Sequence, residues 1–167
     1  MIDLLRGAEA LKRIGTDDVT ALTKRATAST YYTDGLSADE LEAIARVDRM
    51  AADTVAAACA NEHQLFIAAL VDGVFAGYMI ATVHAPEDRE LDWLMIDPAF
   101  QGHGVADALM AAGVEWLGAD RPIWLNVIQH NARAIRFYRR HGFEVDAAAR
   151  TDHRIPHFIM RARSRRP

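Results

Sequence analysis

A chain of 167 residues, 51% hydrophobic and 25% charged, has the length of one domain and enough apolar material for a real core, so disorder is excluded as its default state. A formal net charge of −4 argues against general nucleic-acid binding, and one cysteine, Cys59, excludes an intramolecular disulfide and fits a reducing compartment. Neither a signal-peptide pattern nor a membrane-length apolar run occurs, so a cytoplasmic protein with no membrane partner is expected.

In chain order, a short strand is predicted at about Ala10 to Ile14. Gly15-Thr16-Asp17-Asp18 then starts a helix running from Val19 to about Ser29, and Tyr31-Tyr32-Thr33-Asp34-Gly35 interrupts the pattern. Ser37 and Glu40 form a capping box at the start of a second helix that reaches the alanine-rich stretch near Ala60, with an apolar stripe of Leu41, Ile44, Val47 and Val55 and a potential break at Asp48-Arg49. Two strand-like runs, Leu65 to Val71 and Phe75 to Val83, flank Asp72-Gly73, a strong hairpin signal. After the polar loop Pro86 to Arg89 comes a third strand through Ile96, which Asp97-Pro98 ends because proline has no N–H for a sheet ladder.

Gly102 and Gly104 follow at once, and from Val105 the apolar residues Leu109, Met110, Val114 and Leu117 recur at helical spacing. The glycine turn therefore sits at a helix N-terminus, where unpaired N–H groups and the macrodipole favour an anion, phosphate above all. There is no phosphate-loop Gly-Lys-Ser/Thr, and the turn lies mid-chain without the repeated strand-helix units of a dinucleotide fold. A further strand, Ile123 to Val127, leads to Asn131, a good N-cap for a helix carrying Ala134, Ile135, Phe137, Tyr138 and His141, and Gly142 suits the left-handed position at its end. One or two last strands are predicted around Glu144 to Ala148 and His157 to Ala162.

Gln101-Gly-His-Gly-Val-Ala106 fits Q/R-x-x-G-x-G/A, and Leu125 through Phe143 fits L-x-V-x-x-x-N-x-x-A-x-x-F-Y-x-x-x-G-F at every fixed position. The first pattern resembles the acyl-CoA pyrophosphate signature of the GNAT N-acetyltransferase superfamily, the second its closing unit. Residues 89 to 143 carry these specific motifs, and the likeness extends in pattern over about residues 10 to 162. It implies an α+β fold with a central mixed, mostly antiparallel sheet flanked by helices, its fourth and fifth strands splayed at a cofactor cleft near Ile96 and Val127. The whole of 1–167 reads as one such domain, ending in a basic tail at 163–167 that could touch acidic partners.

The resemblance implies acyl transfer from acetyl-CoA to a primary amine. The pantetheine arm would lie along the backbone of Leu94, Met95 and Ile96, and the pyrophosphate would take amides of Gly102, His103, Gly104, Val105, Ala106 and Asp107. Asn131 would bond the pantetheine arm, and Tyr138 would be the general acid beside the CoA sulfur. Glutamine at 101, where many relatives carry arginine, removes a charge but leaves the backbone amides that do most of the binding. Candidate bases are Glu90, Asp92 and His84, with Glu90 the first choice; the glutamate that some relatives keep on the fifth strand is replaced here by Asn126. Tyr31, Tyr32 and Asp34, in the loop that roofs the acceptor pocket in the family, are candidate acceptor contacts suited to a cationic amine. Trp93, Trp116 and Trp124 read as packing residues, and Arg133, Arg136, Arg139 and Arg140 as a solvated face from which one guanidinium could meet the CoA 3′-phosphate. No metal is expected: His153 and His157 are four apart, but Pro156 breaks the helix that spacing would need. The alternative function is a GNAT-fold module that binds acyl-CoA without turnover; oligomeric state is left open by the sequence, with a homodimer one possibility because dimers are common in the family.

Overall fold

The computed structural model describes residues 1–162; the basic tail expected at 163–167 lies outside them. Seven strands form one sheet in the order β1-β2-β3-β4-β5-β7-β6, where β1 is Ile2–Arg6, β2 Gln64–Val71, β3 Val74–Ala85, β4 Asp88–Ile96, β5 Ile123–Ile128, β6 Phe143–Val145 and β7 His157–Ala162. Every pairing is antiparallel except β4 with β5. Five helices flank the sheet: α1 Gly7–Ile14, α2 Thr16–Thr30, α3 Ala38–Cys59, α4 Val105–Leu117 and α5 Ala132–Arg140.

Strand alternation builds two cores from the same strands. Ile67, Ala69, Met79 and Ala81 point toward α4 and α5, where they meet Leu109, Met110, Ile135 and Phe137. Their neighbours Phe66, Ala68, Tyr78 and Ile80 point the other way, against Val19, Leu22, Val55 and Ala58 of α2 and α3. Tyr78 is fully buried, and its hydroxyl is satisfied by Thr23 Oγ1 at 2.7 Å.

The first strand is not at Ala10 to Ile14. It is Ile2–Arg6, paired antiparallel with β2, and residues 7–14 are α1. Gly7, at φ +61°, turns the chain, after which Ala10, Leu11 and Ile14 share one helical face against the second core. The other departures are smaller. The capping box is present in both directions, Glu40 N donating to Ser37 Oγ at 3.2 Å and Ser37 N to Glu40 Oε2 at 2.8 Å. The helix it starts passes Asp48 unbroken, because that carboxylate accepts the Thr27 hydroxyl at 2.7 Å instead of competing for backbone. Asp72 (φ +48°) and Gly73 (φ +83°) make the β2–β3 hairpin turn. Asp88 and Arg89 belong to β4 instead of the polar loop, and β6 stops at Val145 because Asp146 makes a turn, accepting from Ala148 N at 3.0 Å.

Candidate functional site

The parallel β4–β5 pair is short. Arg89 pairs with Ile123 and Glu90 with Trp124, and no register is kept beyond, so from Leu91 onward the β5-facing edge of β4 is open. The chain bends at the same place. Trp93 has φ +50°, its N–H donates to its neighbour's Asp92 Oδ1 at 2.8 Å, and the register against β3 slips by one residue between Asp92 and Met95. This is a β-bulge, a device that re-aims side chains beside functional sites. At the far end of β4, Asp97 accepts from Arg25 Nε at 2.8 Å and caps Ala99 N at 3.0 Å, which ties the strand end to α2.

Into the gap opens a cavity of about 700 Å³. One end is made of backbone. Leu94, Met95 and Ile96 line it along the open strand edge, followed by Gly102, Gly104, Ala106 and Asp107 at the start of α4. Gly102 and Gly104 have φ +84° and +80°, and a Cβ on Gly102 would meet nothing within 4 Å, so the turn presents bare backbone to the cavity. Ala108 N bonds to Gly104 O at 3.0 Å, the first helical bond, which leaves the preceding amides of the first turn as the unmatched donors of a helix start. Backbone donors on a strand edge, a left-handed glycine turn and a helix N-terminus together fit a ligand that has both an amide-bearing arm and phosphates. The side chains of His103 and Val105 do not line the cavity. His103 packs edge-on against Phe100, and Val105 is buried in the first core.

The opposite wall comes from β5 and α5. Asn131 caps α5, accepting from Ala134 N at 3.1 Å, and also lines the cavity, as do Arg133, Arg136 and Arg140 but not Arg139. Arg133 donates to the Gln101 side chain, so the turn that lacks its own arginine holds one from α5 at its rim. Tyr138 is buried, with its ring edge-on to Phe137 and Phe143. Burial, then the neighbouring Tyr31 and Asp92, push its phenol above the ordinary value.

The other end of the cavity is made of side chains: Tyr31, Ile44 and Val47 from the α2–α3 side, Asp92 and Trp93 from β4, Asn126 and Ile128 from β5, and His153, Ile155 and His157 around the start of β7. Burial, followed by the charge of Glu90, raises Asp92 to about 7. Burial likewise raises Tyr31 to about 12 and lowers His157, whose Nδ1 meets Ile155 O at 2.5 Å. The three acceptor candidates are thus separated. Tyr31 lines the main cavity, Tyr32 is 45% exposed and lines a neighbouring hollow with His130 and Asn131, and Asp34 is exposed and lines neither. The two strand carboxylates are separated as well, since Asp92 lines the cavity while Glu90 is covered at the point where β5 is still paired to β4. Among the described residues, no group of three or more potential ligands is placed to hold a metal ion, and no helix is long and apolar enough to cross a membrane.

Residues 27–143 match the sequence model of the Acetyltransferase (GNAT) family. Over 90 residues the chain is 39% identical to an uncharacterized N-acetyltransferase of Mycobacterium tuberculosis, a match covering 52% of this chain and 56% of that protein. It is 33% identical over 91 residues to the L-amino acid N-acetyltransferase AaaT of Escherichia coli, covering 50% and 56%. The chain thus spans about half the length of the curated relatives it matches. Its fold is similar to that of the PaiA N-acetyltransferase of Thermoplasma acidophilum in complex with coenzyme A, with a TM-score of 0.72 at 19% identity over 97% of this chain and 98% of that one. A GNAT-family acetyltransferase of Staphylococcus aureus gives the same score at 11% identity and the same coverage.

Proposed function

Because the chain belongs to the acetyltransferase (GNAT) family, we propose that it transfers an acetyl group from acetyl-CoA to the primary amine of a small molecule or peptide by direct attack. The observation that carries this reading is the convergence on one cavity of an open strand edge, a left-handed glycine turn at a helix start, and a buried tyrosine near a carboxylate. Coenzyme A in the structure of similar fold supports the choice of donor.

The thioester brings an activated acyl carbon, and the chain's residues do the rest. Backbone groups of Leu94 to Ile96 and the Asn131 side chain hold the pantetheine arm, and amides of the Gly102–Asp107 stretch hold the pyrophosphate, apart from that of His103, which donates to Phe100 O at 3.3 Å. Asp92 takes the proton that an ammonium acceptor must lose before it attacks; a base at about 7 is ionised often enough, and basic enough, to work near neutrality. As the C–N bond forms and the C–S bond breaks, Tyr138 gives its phenolic proton to the departing sulfur and takes back the proton that the new amide nitrogen sheds, so the phenol is restored. Its raised pKa keeps that proton in place at ordinary pH until it is needed. Of the two strand carboxylates, Asp92 and not Glu90 is favoured as the group that meets the acceptor, because only Asp92 lines the cavity.

The test is acetyl-CoA calorimetry on the native protein, Gly104→Glu and Tyr138→Phe, with thiol release measured against benzylamine, spermidine, L-phenylalanine, L-lysine and an alanine-terminated peptide. Binding lost in Gly104→Glu, with turnover depressed and affinity kept in Tyr138→Phe, is the expected result. Binding with no thiol release above background for any amine would replace the enzyme with a binding module, and no binding at all would remove both.

A further inference from the structure

The acceptor end of the cavity has apolar walls and a charge of one sign. Ile44 from α3, Ile128 from β5 and Ile155 from the approach to β7 are buried together in a cluster that belongs to neither core, with Tyr31 packed against it. All four residues also line the cavity, so this cluster is a wall of the site as well as a piece of the fold. Val47, half-buried and one turn along α3 from Ile44, continues the wall. Facing into the same end are the carboxylate of Asp92 and the rings of Tyr31 and Trp93. Asn126 Nδ2 donates to Glu90 at 3.4 Å, which leaves Asn126 Oδ1 as the buried side-chain oxygen without a partner among the described residues. A buried acceptor of this kind is costly until a donor reaches it.

No fixed cation balances Asp92 at this end. The arginines that line the cavity, Arg133, Arg136 and Arg140, all stand on α5 in the wall of the donor end, and among the described residues no lysine or arginine of α2, α3, β4 or β5 lines it. Arg25 and Arg154, from neighbouring segments, are taken up by Asp97 at 2.8 Å and Asp39 at 3.1 Å. The histidines do not stand in for them: burial holds His157 below the ordinary imidazole range, and His153 is exposed at the rim, its ring 4.2 Å from that of His157. We infer that the acceptor is a small arylalkylamine, a primary amine on an apolar body with no carboxylate beside the nitrogen. Its ammonium meets Asp92, Asn126 Oδ1 and the Tyr31 ring, and its body lies on the isoleucine wall. An α-amino acid would bring its carboxylate into apolar surroundings beside a like charge, with nothing to pair it. A polyamine would lay its further ammonium groups on isoleucine, and a peptide would leave its amides there without partners.

The inference rests on the acetyltransferase reading. It is tested by thiol release at saturating acetyl-CoA with 2-phenylethylamine and L-phenylalanine, which differ only in the carboxylate, and with spermidine. The expected result is a kcat/KM for 2-phenylethylamine at least about 100-fold above that for L-phenylalanine, the scale on which an unpaired buried charge is rejected, and above that for spermidine as well. Val47→Arg puts a cation into the wall and should narrow the ratio of the matched pair by about tenfold or more, through better use of L-phenylalanine. Calorimetry of the two ligands on the native protein–CoA complex reads the same preference without a substitution and without turnover. L-phenylalanine used as well as 2-phenylethylamine, or spermidine used better, would overturn the acceptor class and leave the acetyltransferase reading standing. A ratio unmoved in a Val47→Arg protein that binds acetyl-CoA normally would overturn it too, by taking the amine's body off this wall. Acetyl-CoA binding with no thiol release for any amine would instead remove the acetyltransferase reading, and the acceptor class with it.

Discussion

The two ends of the cavity are built from different material. The end assigned to the acyl donor is backbone: an open strand edge, two glycines with positive φ and the first turn of a helix. The acceptor end is side chains gathered from α2, α3, β4, β5 and the approach to β7, with Asp92 the carboxylate among them. Backbone donors offer the same bonds whatever residues carry them, so the first end suits a constant ligand, and its weakness is added volume. The second end can be retuned one residue at a time, and its weakness is altered chemistry.

The largest expected effect is at the chemical end. Asp92→Asn keeps the size of the side chain and removes the base, so kcat at saturating acetyl-CoA should fall by about 10²- to 10³-fold, with the acetyl-CoA Kd within about twofold by calorimetry. In the native protein the active form is ionised Asp92, so the rate should be full above neutrality and fall with decreasing pH through about 7. A rate independent of pH from 5.5 to 8.5 would take the role from Asp92.

At the backbone end the corresponding break is made with volume. Gly77 lies on β3 opposite Ile96, and a Cβ there would sit 2.9 Å from Ile96 Cδ1, 2.9 Å from Met95 O and 3.2 Å from Val105 Cγ1. Gly77→Val must therefore push β4 and the start of α4 outward. Overpacking of this kind costs about 1–3 kcal/mol, or a Tm lower by roughly 3–10 °C. Acetyl-CoA affinity should fall with it, whereas acceptor KM at saturating donor should stay near native. A change confined to the acceptor side would show that the two ends are not built as described.

The same division decides what could be read from the sequence. Gln101 through Ala106, the Asn131 cap, Gly142, the Asp72-Gly73 turn and the Ser37–Glu40 box are local patterns whose residue types dictate local geometry, and the structure has each where the spacing puts it. The bulge was not legible, because Trp93 at φ +50° carries no glycine to announce it. Gly77 gave only the weak signal of a glycine inside a strand, which marks close backbone approach as readily as a bulge. The choice between Glu90 and Asp92 was beyond strand alternation, since the two share one face. What separates them is that β5 still covers Glu90 and has parted before Asp92, a tertiary fact set by where a parallel pair stops. Tyr31 and Tyr32, adjacent in sequence, are likewise divided only by the end of α2.

A smaller effect concerns the stability that a side-chain site gives up. Asp92 is the reverse of a salt-bridged carboxylate: its folded pKa of about 7 lies above the ordinary 3.8, so the folded state binds its proton more tightly than the unfolded chain. Its contribution to stability is present at low pH and is lost as pH rises from about 4 through 7. Asp92→Asn should therefore raise Tm at pH 8 by a few degrees, from about 1 kcal/mol of relieved burial, and leave it nearly unchanged at pH 4. The pH 8 gain should accompany the loss of activity, and a variant that lost both would mean that Asp92 is a packing residue.

The smallest contrast separates neighbours at the mouth of the acceptor end. Tyr31 lines the cavity beside Asp92, and its backbone oxygen accepts from His130 Nε2 at 3.1 Å, which fixes the ring's entry point. Tyr32 points to the separate hollow. Tyr31→Phe removes one hydroxyl and Tyr31→Ala removes the wall, so acceptor KM should rise about twofold in the first and up to about tenfold in the second, the range of a single contact to a bound amine. Tyr32→Ala and Asp34→Ala should leave it within about twofold. Equal effects at 31 and 32 would mean that the loop closes over the acceptor as a unit, with the hollow beside Asn131 joined to the main cavity when the amine is bound.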